Sequence, residues 1–192
     1  LLVVRETHTT HRRAALRSER ATAGSPLRDL TQRAYLGNTI AFGFAFAVMM
    51  GYISASPFIY QTMMGLSSAA YGAMFGVNAF GLLLMSATSA RLTARREPRT
   101  IAGIGLATIL ASSAAVLLLA MSAAPAGWLA LPLFTAVAGM GLIFGNTTAL
   151  ALSAAPRAAG TASAALGAAQ FLLAALVSPL VSVGGEHTAA PL

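Results

Sequence analysis

Six side chains in this sequence could act together as a binding surface: Met74, Phe75 and Asn78 in one apolar run, and Asn146, Gln170 and Phe171 in two later ones. Their types limit the chemistry. An amide donates and accepts hydrogen bonds but carries no charge, while a thioether and an aromatic ring offer adaptable apolar contact. Residues 34–90 and 100–156 contain no Asp, Glu, Lys, Arg or His. General acids, bases and ion relays are therefore missing from these stretches. His8, His11 and His187 lie outside them, and the chain has no Cys. Haem, metal and thiolate chemistry, and a Ser–His pair, have nothing to build on. The sequence reads as a non-enzyme with no cofactor. What the six residues can do is hold a solute: rings, methionine and a few amides suit a cavity for varied apolar molecules. The other reading is that each amide bonds a neighbouring helix.

Spacing sorts these residues onto faces. Tyr71, Met74, Phe75, Asn78, Leu82 and Met85 recur at intervals of three and four, so they share one side of a helix. Ala69, Gly72, Gly76 and Ala87 share the opposite side, which is expected to pack on a neighbour while the aromatic side faces a cavity. Gly72 and Gly76 form one GxxxG pattern; Gly141 and Gly145 form another. Thr135, Gly139 and Asn146 align on one stripe, and Gln170 shares its side with Ser163 and Ala174. Ser54 and Ser56 precede Pro57, and both Pro57 and Pro179 fall where a helix would bend or end.

The elements that carry these faces follow from composition. The chain is 57% hydrophobic and 9% charged, with a mean hydropathy of +0.74; soluble domains are roughly 25% charged. Too little polar material remains to cover a surface in water, so the fold class is an all-α integral membrane protein. One crossing takes about 20 apolar residues. Residues 34–90, an uncharged run of 57, fit two crossings and a turn near "PFIYQTMMGLSS". Residues 100–156 fit two more with a turn at "SAAPAGW", and residues 158–185 hold a fifth. Five transmembrane helices are expected at about 36–58, 69–90, 101–123, 128–152 and 160–183.

Charge then orients the bundle. Segments 1–35, 91–99 and 153–159 hold all 12 basic residues, every one an Arg; the segments on the other side, 59–68, 124–127 and 184–192, hold none. Arg collects in cytoplasmic loops and costs about 2.5–3.5 kcal/mol at the centre of a span. The knot "ARLTARREPRT", with Arg91, Arg95, Arg96 and Arg99, is therefore a short cytoplasmic loop, and residues 1–35 are cytoplasmic. The net charge of +7 does not point to nucleic acid, because the cations sit at segment ends rather than on one folded face. The opening "LLVVRETHTT" looks like the tail of a preceding helix, so residues 1–35 read as that helix end plus a basic linker and residues 36–192 as a transmembrane bundle. Within the linker, Ser25 as N-cap and Pro26 at the first helical position suggest a short surface helix with Leu27, Leu30 and Ala34 on one face; a solvated linker is the alternative.

Residues 51–92, "GYISASPFIYQTMMGLSSAAYGAMFGVNAFGLLLMSATSARL", resemble the seventh and eighth helices of twelve-helix major facilitator transporters. The branch they most resemble is the bicyclomycin- and chloramphenicol-resistance type of drug:proton antiporter. Residues 146–180 are similar to that family's tenth-to-eleventh junction, on Gly160, Thr161, Ala162, Ser163, Ala164, Ala165, Leu166, Gly167, Gln170 and Phe171. The Arg knot resembles the second copy of the superfamily's basic loop motif. Gly145 departs from the pattern, standing where the family often has Pro. The resemblance implies a C-terminal bundle lacking its last helix, with proton-coupled multidrug efflux by alternating access in the bacterial inner membrane. It further implies drug-like substrates, a lipid bilayer around the chain, an N-terminal half of the same transporter as partner, and a proton site outside this chain. On that footing Asn78, Met74, Phe75, Asn146, Gln170 and Phe171 would line the substrate path. Arg91, Arg95 and Arg96 would act at a cytoplasmic gate. A five-span scaffold without transport and an uncoupled facilitator are the competing readings.

Overall fold

A computed structural model of the chain describes residues 26–122 and 124–182. Most of the expected linker, with its Ser25 cap, lies outside the described residues. Among the described residues, five helices are long and apolar enough to cross a membrane. They are α1 (Arg33–Pro57), α2 (Ser68–Leu92), α3 (Pro98–Met121), α4 (Ala130–Ala154) and α5 (Ala159–Ser182). A 3-10 turn, Pro26–Thr31, precedes α1 where the short surface helix is expected; others, Ala126–Leu129 and Pro156–Ala158, lead into α4 and α5.

Local chemistry sets the ends. Ser67 caps α2 by accepting from the Ala70 amide at 3.3 Å, and Pro98 opens α3 at its first turn, where a missing N–H costs nothing. The first hairpin turn differs from the sequence reading. The chain stays helical through Pro57 and continues as a π-helix over Phe58–Met63, and the turn follows at Gly65, φ +69°, a backbone state that glycine adopts without a Cβ clash. The reason lies at Pro57. Proline cannot donate to the carbonyl four residues back, and Ser56 Oγ donates to that Ile53 carbonyl instead, at 3.2 Å. The helix survives its proline and widens by one residue per turn beyond it, with the Met64 amide on the Ile59 carbonyl at 3.0 Å.

Packing centres on α4. It contacts α1, α2 and α3, whereas α5 leans mainly on α1. Residues 136–143 of α4 are buried without a break, as befits a helix surrounded on all sides. Glycine makes this possible, since lipid supplies no hydrophobic drive between helices and close backbone approach must replace it. Gly105 of α3 lies against the Gly139 carbonyl of α4, and Gly141 lies against the α2 backbone, where an added Cβ would sit 2.7 Å from the Ser86 nitrogen. Gly43 of α1 meets Leu173 and the Ala169 carbonyl of α5. The two GxxxG patterns fare differently. Gly72, Gly76 and Gly145 have nothing within 4 Å of an added Cβ. The α2 face expected to pack, with Ala69, Gly72 and Gly76, is thus turned outward, and the aromatic face is turned in.

Candidate functional site

The inward face of α2 builds a polar cluster inside an aromatic shell. Asn78 is 1% exposed, and its Nδ2 donates to the hydroxyls of Tyr52 at 2.7 Å and Tyr60 at 3.0 Å. Tyr52, in turn, stacks on Phe75 with ring centroids 5.8 Å apart. Tyr71 meets Phe75 edge-on at 6.1 Å, and its hydroxyl lies 3.1 Å from Ser56 Oγ. Because the Ser56 proton serves the Ile53 carbonyl, Tyr71 is the donor in that pair. Met74 packs against the same cluster. The proline break and π turn of α1 are therefore pinned to α2 by two separate polar links. One atom is left over: Asn78 Oδ1 is buried without a hydrogen-bond partner, a state that costs about 1–3 kcal/mol in a closed interior.

Met74, Phe75 and Asn78 come together as the sequence reading grouped them; the other three do not join them. Asn146 is buried on α4 and donates to Ser89 Oγ and to the Leu142 carbonyl, both at 2.7 Å. Ser89 lies eleven residues beyond Asn78 on α2, about 16 Å by helical rise. On α5, Gln170 is half-buried and Phe171 is 62% exposed, with the Phe171 ring edge-on to Phe46 at 5.3 Å. Arg91 is exposed in the last turn of α2, and Arg95 and Arg96 are exposed on the turn that follows, closed by their amides on the Leu92 carbonyl at 2.9 and 2.8 Å.

Sequence reasoning missed two sets of residues. Tyr52 and Tyr60 supply the α1 side of the Asn78 cluster, flanking the Ser56 already noted beside Pro57, and the spacing of four across the three was the available signal. Asp29 and Arg157 were passed over as ordinary end charges. Asp29 is buried, and it accepts from Arg157 Nε at 3.1 Å through Oδ2 and from Arg157 Nη2 and Gln32 Nε2 through Oδ1. The Arg157 guanidinium holds the Asp29 carboxyl below the usual carboxylate range. Among the described residues two cavities stand out, the first of which borders the Asn78 cluster through Tyr52. One, about 250 Å³ and apolar, is bounded by Phe44, Val48, Val137 and Met140; the other, about 800 Å³, opens near Arg33 and Arg99 between α1, α3 and α4. Neither is lined by any of the six predicted residues.

The profile of the Major Facilitator Superfamily matches residues 1–179. The chain belongs to this superfamily. Among its relatives, an uncharacterized MFS-type transporter of Bacillus subtilis, YdgK, is 30% identical over 89% of this chain and 42% of its own length. A bicyclomycin resistance protein homolog of Haemophilus influenzae is 26% identical over 99% of this chain and 48% of its own. The multidrug transporter MdfA of Edwardsiella piscicida is 33% identical over 72% of this chain and 34% of its own. The chain thus spans less than half the length of these curated relatives, and no solved structure matches it. As a superfamily member whose described residues form five helices long and apolar enough to cross a bilayer, it is a multi-pass membrane chain.

Proposed function

We propose that this chain forms one helical bundle of a multidrug exporter of the bacterial inner membrane. It would work by alternating access: two bundles rock about a shared midplane cavity. The observation that carries the reading is the outward α5 face with Gln170 half-buried beside a 62% exposed Phe171, in a chain whose relatives bear bicyclomycin-resistance and multidrug-transporter names. An exposed ring beside an amide offers a drug-like solute one flat apolar contact and one hydrogen bond. The small outward residues of α2, Gly72 and Gly76, favour close approach of a second bundle. Asn78, Met74, Phe75 and Asn146 serve behind that surface. The amides bind helices together in the closed arrangement, and Asn78 Oδ1 is an acceptor for a solute donor once the outer end of α1 moves. With the Arg-bearing end in the cytoplasm, Arg91, Arg95 and Arg96 form gate contacts there. The proton site falls to the N-terminal half, because none of the five spans offers an ionisable side chain at mid-depth.

Drug accumulation in cells producing the complete transporter tests this. Gln170→Ala and Phe171→Ala should each cut export of at least one drug about tenfold, the equivalent of ~1.4 kcal/mol, with protein levels unchanged. Export at the parental rate for every drug tried would remove the α5 face from the substrate path. Unchanged export by Asn78→Ala would likewise remove Asn78.

A further inference from the structure

Asp29 sits on a six-residue 3-10 turn where the chain enters the bundle, yet it is only 1% exposed. A carboxylate so covered must be paired, and its chief partner comes from 128 residues away: the Arg157 fork, on the turn between α4 and α5. A second contact lies alongside, where Tyr35 in the first turn of α1 donates its hydroxyl to the Ala162 carbonyl of α5 at 2.7 Å. A third is apolar, with Leu30 packed on the cluster of Tyr35, Ala151, Ala155, Ala162 and Leu166. Three contacts of different chemistry thus clamp the entry turn to the start of α5. Beyond these contacts that helix packs mainly along α1 and only slightly on α4.

We propose that the Asp29–Arg157 pair is a latch that makes the entry turn and the first turns of α5 move as one body, so that both are positioning residues for the face bearing Gln170 and Phe171. A planar guanidinium held through two of its nitrogens fixes direction as well as distance. Rotation of α5 about its own axis is then resisted at the end where Arg157 sits, and the segment leading into α1 is drawn along when α5 shifts. The consequence for transport rate rests on the exporter reading above; the mechanical coupling does not.

The test uses the complete transporter with Asp29→Asn, Arg157→Lys and the exchanged pair Asp29→Arg with Arg157→Asp. Arg157→Lys keeps the charge and guards against simple misfolding. Each single variant should slow drug turnover about fivefold or more while drug affinity stays within about twofold, the scale of an ordinary coupling energy. Amide hydrogen exchange in Asp29→Asn should rise at residues 159–166 as well as near residue 29, and the exchanged pair should recover both readouts. Parental turnover in the single variants, or slow turnover with unchanged exchange at 159–166, would overturn the latch. So would a folded exchanged pair no better than the singles. Should the parent move no drug, the exporter reading fails and the exchange comparison still decides the latch.

Discussion

Replacing Gly141 with valine should leave little folded protein, whereas Gly145→Ala, one turn away in the same GxxxG pattern, should be produced normally. An added Cβ at Gly141 meets the Leu82 carbonyl and lies 2.7 Å from the Ser86 nitrogen, both backbone atoms of α2. Side chains can swing aside; a helix backbone cannot without parting α2 from α4. Overpacking costs about 1–3 kcal/mol where side chains yield, and valine against backbone belongs at or above the upper end. The damage would spread, because separating α2 from α4 also breaks the Asn146–Ser89 bond. At Gly145 nothing lies within 4 Å of the new methyl. Size-exclusion chromatography of the two detergent-solubilised variants checks this, and equal monodisperse recovery would show that the α2–α4 contact is not built as described.

The second large effect belongs to Asn78. Its replacement by alanine removes the donor to two hydroxyls at once, and Tyr60 is fully buried. Side-chain bonds between membrane helices average about 0.6 kcal/mol and reach about 1.7, so a loss of about 1–3 kcal/mol in stability is expected, seen as a lower melting temperature. A cycle with Tyr60→Phe sharpens the claim. Once Asn78 is gone the Tyr60 hydroxyl has lost its donor, so deleting it should cost nothing further and the double variant should melt with Asn78→Ala alone. Simple addition of the two losses would mean that these groups act independently, and the cluster would not be the unit that holds α1 to α2.

Five apolar helices are found as expected because long uncharged runs are global signals that no single contact can override. The finer misreadings have local causes. The first turn, expected over 59–68, does fall at Gly65, but Ser56 satisfies the freed Ile53 carbonyl and carries the helix past Pro57 to Met63, so the turn is shorter than expected. The two faces of α2 were told apart by period, but within this chain it is the aromatic face and not the small-residue face that packs on neighbours, with Asn78 bonding another helix as the alternative reading had it. Periodicity shows that faces differ; which one turns inward depends on α1, whose Tyr52 and Tyr60 provide hydroxyls for Asn78. Asn146 and Gln170 looked equivalent as lone amides. Only the packing separates them, one buried and bonded, the other half-exposed. The Asp29–Arg157 pair joins residues 128 apart, and no local pattern records it.

The account as a whole depends on a bilayer around α1 to α5 with the arginine-bearing end in the cytoplasm. This chain has no Cys, so once any cysteines elsewhere in the complete protein are replaced by serine, Thr62→Cys and Ala94→Cys each introduce a unique thiol, one beyond α1 and one in the Arg loop. In intact cells producing the complete transporter, a membrane-impermeant maleimide should label position 62 directly and position 94 only after permeabilisation. Labelling of both positions from the same side would contradict the threading and, with it, the orientation, the gate and the transport reading built on them.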